Sequence, residues 1–193
     1  ISLKNKKVLN YEALYKFAFD FEWEHYLQKD SSFYINSVCF GKDFTHSLYV
    51  SQRVKDGIVD RFRKLKGSRP TVDKLKPDIY IDVHIDKKLC TFSLNSSGRN
   101  LNQRGYRKKS NEAPLNEVLA SGLILLSNWN KKDDFLDPMC GGGTFLFEAC
   151  MIAKHIPPNL NRKNFAFKNW NDWDQDLFIN IFILLKKKIK KRT

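Results

Sequence analysis

FLDPMCGGGTFLFEA, which runs from Phe135 to Ala149, decides the fold of the second half of the chain. Two apolar residues lead into an acid and a proline, then three glycines and a threonine follow, and a new apolar run begins. This pattern is typical of a short strand that ends at 135–136 and passes through a bare turn into a helix, as at the start of a doubly wound α/β domain. Glycine in such a turn permits positive φ angles and the close approach of a ligand.

The spacing of the glycines excludes two common phosphate-binding turns. A P-loop places Lys and Ser or Thr directly after its last glycine, whereas here Thr144 and Phe145 follow. A dinucleotide-binding turn needs G-x-G-x-x-G, whereas glycines 141–143 are contiguous. S-adenosylmethionine (SAM) carries no phosphate and needs no lysine, and Asp137 offers an acid at the end of the strand. The remaining alternatives are a SAM site and a purely structural tight turn.

The charge of the chain makes nucleic acid a candidate partner. The 193 residues are 42% hydrophobic, which is typical of a globular protein, and their formal net charge is +13. Basic clusters without acids lie at 61–69, 99–109 and 186–192. Lysines scattered over solvated surfaces would also explain the charge, but the clustering favours nucleic acid. The last cluster ends a predicted helix, where cations stabilise the helix dipole, and that explanation is preferred there.

The sequence predicts neither a membrane span nor a metal site. No apolar run approaches the roughly 18 residues that a membrane-spanning helix needs. The four cysteines, at 39, 90, 140 and 150, lack the C-x₂₋₄-C spacing of a zinc site. They are also too sparse for a disulfide-rich secreted scaffold, so we expect free thiols in the cytoplasm.

The apolar spacing predicts an α+β module in the first hundred residues, followed by the start of an α/β domain. The first part comprises a helix over 11–27, a strand over 31–40, a helix from near Thr45 to Gly67, and a hairpin that turns at Lys87-Lys88. Segment 96–112 is polar and basic and is interpreted as a linker. The second part comprises helices over 114–129, 144–153 and 174–188 around the strand at 135–136.

DPMCGGGTFLFEA resembles the D-P-x-C-G-x-G-T-x-x-x-E-A motif of the THUMP-domain class I RNA methyltransferases, the RlmL-like family of 23S rRNA guanine-N2 methyltransferases. RPTVDKLKPDIYIDVHI is similar to the second half of a THUMP domain, and GRNLNQRGYR and APLNEVLA are similar to the linker and the next helix of that family. HIPPNLNR and FAFKNW also resemble the family, so that the similarity extends from about Glu22 onward. The resemblance implies an N-terminally incomplete THUMP-like RNA-binding domain (1–95), a basic linker (96–112) and the truncated start of a Rossmann-like class I methyltransferase domain (113–193).

The same resemblance implies that SAM is the cofactor and assigns residues to it. The residues expected to wrap its methionine end are Asp137, Cys140, Gly141, Gly142, Gly143 and Thr144. Pro114 and Leu115 stand where the helix before the first strand lines the same pocket. Gly142 departs from the family, which commonly has Ser there, but the turn is kept. Glu148 is expected to pack or cap the helix rather than to bind a ligand.

The linker supplies candidate RNA-binding residues. Arg104, Tyr106, Arg107 and Lys108 combine cations with an aromatic ring, which suits phosphate contact and base stacking. The alternative is that Arg104 and Arg107 only join the two domains.

The residues for catalysis are not found in the sequence. Methyltransferases of this type hold the flipped base with an N/D-P-P-Y/F turn after a later strand. The only Pro-Pro pair, Pro157-Pro158, has no aromatic residue after it and no such strand before it. We therefore expect an internal fragment that is inactive alone, in which much of the face of the helix over 115–129 is exposed.

For the full-length protein we expect a SAM-dependent RNA methyltransferase, with guanine N2 of rRNA a stronger candidate than tRNA. The alternatives are a tRNA guanine-N2 methyltransferase and an RNA-binding module with a vestigial or incomplete methyltransferase domain. A DNA adenine methyltransferase is disfavoured because the first part resembles a THUMP domain. The sequence predicts no oligomeric state.

Overall fold

The structure is a computed structural model that describes residues 1–107 and 115–189. It divides into two compact units. The first consists of Ile1–Gly98 and Phe165–Trp173, and the second consists of the described residues of Arg99–Asn164 and Asp174–Thr193.

The first unit is a five-stranded mixed sheet with two α-helices. The strands are β1 (Ser2–Lys7), β2 (Ser32–Phe40), β3 (Thr71–Val72), β4 (Ile79–Asp86) and β5 (Leu89–Leu94), and the helices are α1 (Tyr11–Asp20) and α2 (Ser47–Lys66). The order in the sheet is β1-β5-β4-β2-β3; β5 pairs antiparallel with β1 and β4, while β2 pairs parallel with β3 and β4. The predicted α+β character of this part is confirmed.

The core of the first unit lies between one face of the sheet and the two helices. Burial alternates along β4, as the period of a strand requires when one face is covered. The Phe17 ring of α1 stacks on the Phe92 ring of β5 at a centroid distance of 4.3 Å. From α2, a row at helical spacing faces the same core, namely Val50, Val54, Ile58 and Phe62.

Two elements of the first unit differ from the sequence prediction. The first helix ends at Asp20 instead of continuing to 27, and a 3₁₀ turn follows at Trp23–His25. The Trp23 indole N–H donates to the Ala18 carbonyl over 2.7 Å. It thus bonds an acceptor that a backbone N–H would use if the helix continued. β1 was not predicted because Leu3 is the only apolar residue in SLKNKK; it forms through backbone pairing with β5.

The second unit contains the helices α3 (Glu117–Leu126), α4 (Thr144–Ala153) and α5 (Gln175–Lys187). The predicted strand ending at Phe135-Leu136 is wrong, since the described part of this unit contains no strand. A strand is stable only where a second strand pairs with it, and here Leu136 is 85% exposed. As the sequence predicts, much of the apolar face of α3 is exposed, including Leu119, Leu125 and Leu126.

A short segment near the C-terminal end of the chain, 165–173, packs on the first unit, although it lies inside the second predicted domain. Its Phe167 N–H donates to the Ser96 carbonyl over 3.0 Å. Ala166 is buried beside Gly98, and Trp170 packs against the core. Its 3₁₀ turn, Ala166–Asn169, lies beside β4.

Candidate cofactor site

The glycine segment forms a tight turn directly before α4. Gly141 and Gly143 have φ angles of 51° and 72°, in the left-handed region that favours glycine. The Gly143 N–H donates to the Cys140 carbonyl over 2.7 Å, and the Met139 N–H donates to the Asp137 carboxylate over 3.2 Å. The backbone and Asp137 thus shape this turn.

The turn presents an open helix N-terminus. Gly143 is the N-cap of α4, and within residues 1–107 and 115–189 no side chain caps this helix, so that N–H groups of its first turn can face an external acceptor. Among the residues that the structure describes, a Cβ built on Gly141 would meet only the Met139 carbonyl oxygen, at 4.0 Å, which leaves space beside it. The positive end of the helix dipole favours a carboxylate there. These features fit the amino-acid end of SAM.

Thr144 and Leu115, two of the predicted cofactor residues, are brought together by Arg107. The Arg107 guanidinium donates to the Thr144 hydroxyl over 2.8 Å and to the Leu115 carbonyl through the same nitrogen. Thr144 is only 5% exposed. Of the other predicted residues, Cys140 is exposed on the turn, and Pro114 lies outside the described residues.

The predicted RNA-binding residues contact α4 and α3 within the second unit. Arg104 forms an ion pair with Glu148 over 3.0 Å, and its side chain is 9% exposed. The Tyr106 hydroxyl donates to Glu148 over 3.0 Å, and its ring stacks on Phe147. These contacts favour a positioning role, and RNA contact by Arg104, Tyr106 and Arg107 stays a prediction. Lys108 lies outside the described residues.

Glu148 is a fully buried acid at the centre of this arrangement. Burial raises the pKa of Glu148 above its ordinary value, although the hydrogen bond from Tyr106 and the charge of Arg104 act in the opposite direction. The pKa of Tyr106 is raised as well, first by burial and then by its hydrogen bond to Glu148. Glu148 thus packs inside the unit, as expected from the sequence.

Glu117 and Arg162 have contacts that the sequence did not predict. Glu117 is buried, and its carboxylate lies 3.4 Å from the Arg107 guanidinium. The sequence signal that could have indicated Glu117 was the acid within APLNEVLA. Arg162 donates to the carbonyl oxygens of Arg99, over 2.7 Å, and Asn164, over 3.0 Å. Burial, and then the charge of Arg99, lower the pKa of Arg162. Its sequence context gave no signal, because the contacts are to backbone atoms.

Residues 1–107 and 115–189 contain neither a metal-binding cluster nor a membrane-spanning helix. No group of three or more His, Cys, Asp or Glu side chains is arranged to hold a metal ion. No helix in these ranges is long and apolar enough to cross a membrane.

The amino-acid sequence matches two known domain families. Residues 9–95 match the THUMP domain, and residues 104–193 match the RMKL-like methyltransferase domain. The chain thus contains a THUMP domain followed by an RMKL-like methyltransferase domain. The glycine turn and the residues that support it all lie in the methyltransferase part.

Curated relatives of this THUMP-methyltransferase chain are considerably longer. It is 38% identical over 174 residues to slr0064 of Synechocystis, which is named as an RNA methyltransferase, and it covers 45% of that protein. It is 38% identical over 167 residues to the ribosomal RNA large subunit methyltransferase K/L of Pseudomonas paraeruginosa and covers 23% of it. These alignments include 89% and 84% of the chain.

Solved structures with the same fold cover nearly the whole chain. SMU.472, described as a methyltransferase complexed with SAH (S-adenosylhomocysteine, which is SAM without its methyl group), aligns with 98% of the chain at a TM-score of 0.84 and 27% identity. A protein of Clostridium difficile 630, described as a possible methylase, aligns with 100% at a TM-score of 0.87 and 30% identity. The chain covers 50% of each of these structures. The class I methyltransferase fold predicted for the second part is thereby confirmed.

Proposed function

We propose that this chain is part of a SAM-dependent RNA methyltransferase that modifies large-subunit rRNA in the cytoplasm. The observation that carries the proposal is the open glycine turn at the N-terminus of α4, in a chain that also contains a THUMP domain. SAM would supply an electrophilic methyl group on its sulfonium. The N–H groups at the start of α4 would bind the cofactor carboxylate, and Asp137, at the same turn, would lie by its amino-acid end.

The proposed target is the exocyclic N2 of a guanine. The resemblance of the D-P-x-C-G-x-G-T-type motif to the guanine-N2 family supports the base, and the name of the K/L relative supports the large ribosomal subunit. The THUMP domain favours a structured RNA over DNA. An N-P-P-Y-type turn for the flipped base does not occur in residues 1–193, so methyl transfer is assigned to the full-length protein and this chain alone is expected to be inactive.

A methylation assay tests this function directly. Full-length protein, labelled SAM and undermodified rRNA or tRNA are combined, and the modified nucleotide is mapped. Label at guanine N2 of large-subunit rRNA is the expected result. Label in tRNA alone would replace the rRNA assignment. RNA binding without methyl transfer to either RNA would favour the alternative, an RNA-binding module with a vestigial methyltransferase domain.

Gly141→Val tests the cofactor turn. Gly141 has a φ of 51°, which a β-branched residue tolerates poorly, and the added side chain would occupy the open space of the turn. We expect no SAM binding by calorimetry. Gly67→Val is the matched control, since Gly67 has a φ of 66° and lies in the first unit at the end of α2. Unchanged SAM affinity in Gly141→Val would contradict the cofactor assignment.

A further inference from the structure

Arg107 connects two stretches of the proposed SAM pocket that are far apart in sequence. One terminal nitrogen of its guanidinium bonds both the Leu115 carbonyl and the Thr144 hydroxyl. Leu115 lies just before α3, whereas Thr144 is the first residue of α4. The other terminal nitrogen faces the Glu117 carboxylate at 3.4 Å. One side chain therefore holds the beginnings of two helices.

The chemistry of these contacts calls for arginine. A planar guanidinium presents several N–H donors in a fixed fork, so that it can serve three acceptors at once. A lysine ammonium of similar reach has its donors at a single point, on a flexible stem. Glu117 and Thr144 are buried, so water cannot easily replace a contact that is lost.

Few side chains in the glycine turn can hold it against the rest of the unit. Its three glycines carry no side chains, and Cys140 is exposed. Thr144 is the next side chain along the chain, and its buried hydroxyl accepts a hydrogen bond from Arg107. The position of the α4 N-terminus relative to Leu115 thus depends on Arg107.

We infer that Arg107 is a positioning residue for SAM, which acts by fixing the glycine turn against the start of α3. This inference rests on the proposed function. A positioning role differs from the RNA contact predicted for Arg107. The Arg107 guanidinium bonds Leu115 and Thr144, two of the predicted cofactor residues, and its side chain is only 21% exposed.

The test compares Arg107→Lys with wild type in the full-length protein, with SAH as the calorimetric probe. Loss of charged hydrogen bonds should weaken SAH binding about tenfold. The KM for SAM should rise while kcat at saturating SAM changes little, because the pocket wall and not the reacting base is disturbed. A purely structural role would lower the thermal stability without this division between KM and kcat.

Two further variants test whether Arg107 acts on SAH binding through Thr144 and with Glu117. If Arg107 acts through Thr144, combining Arg107→Lys with Thr144→Val should cost less than the sum of the two single losses. Glu117→Gln should weaken SAH binding in the same direction but by a smaller factor, and it serves if Arg107→Lys fails to fold. Arg99→Lys, an exposed arginine of the same segment, is the control and should bind SAH normally.

The outcomes separate this inference from the proposed function. Wild-type protein that does not bind SAH would overturn both. Wild-type binding with equal affinity in Arg107→Lys and Glu117→Gln would overturn the positioning role alone. Unchanged SAH affinity in Arg107→Ala, together with weaker RNA binding and a smaller salt dependence, would instead assign Arg107 to phosphate contact.

Discussion

At the scale of single residues, Glu148 shows a competition between burial and pairing. Its carboxylate is fully buried, which disfavours the charged form, while Arg104 and Tyr106 stabilise that form. Burial is the larger influence, so the pKa is raised. An acid whose pKa is raised by folding contributes most to stability below its ordinary pKa, and this contribution is lost as the pH rises through its folded pKa.

Glu148→Gln should reveal this behaviour. The amide resembles the protonated acid and does not ionise, so the variant lacks the loss of stability on deprotonation. We expect the free energy of unfolding of wild type, relative to the variant, to fall as the pH rises over the range above about 4, the ordinary pKa of a glutamic acid. Urea unfolding of both proteins across this range measures it. A difference that grows with pH would show that the Arg104 pair outweighs burial.

The sequence could not decide whether Arg104 and Arg107 contact RNA or bond to other parts of the protein. An arginine that contacts phosphate and one that pairs with a buried acid can occur in the same R-G-Y-R pattern. Their acidic partners, Glu148 and Glu117, lie 44 and 10 residues further along the chain, so only the fold brings each pair together. By contrast, the glycine turn could be located from sequence because its determinants are contiguous.

At the scale of elements, local signals were sufficient where one residue fixes a boundary. Gly67 was predicted to end α2; it does so in left-handed conformation, with a φ of 66°, and its N–H donates to the Arg63 carbonyl. Asp174 was predicted to begin the last helix, and its side chain caps the Leu177 N–H. β1 was missed and a strand at Phe135-Leu136 was wrongly predicted, because a strand forms only where a second strand pairs with it and no local pattern reports that pairing.

Gly57 offers a test of the packing between α1 and α2. A Cβ added there would lie 2.8 Å from the Ala18 Cβ and 2.8 Å from the Tyr15 carbonyl oxygen. Because both helices would have to separate, Gly57→Ala should reduce the free energy of unfolding by about 1–3 kcal/mol. Gly122→Ala is the helical control: its Cβ meets no described residue within 4 Å, so a gain of about 0.5–1 kcal/mol is expected. Chemical denaturation measures both, and a stabilised Gly57→Ala variant would contradict the close approach.

At the scale of the whole molecule, the path of the chain does not follow the division of the sequence into two halves. The chain leaves the first unit after Gly98 and returns to it for 165–173. FAFKNW was recognised as similar to the family, but its location was not predicted. The reason is that backbone bonds hold this segment, such as Phe167 to Ser96, and these have no signature in the sequence.

Trp170→Ala tests where this segment contributes stability. Trp170 is partly buried against the core of the first unit, so removing its ring should cost about 2 kcal/mol, less than for a fully buried tryptophan. Hydrogen exchange should therefore accelerate at the amides of β4, Ile79–Asp86, and remain unchanged in α3 and α4. Trp170→Phe is the control, because the indole nitrogen is buried without a hydrogen-bond partner and its loss removes no bond. Faster exchange confined to α3 and α4 would instead assign the segment to the second unit.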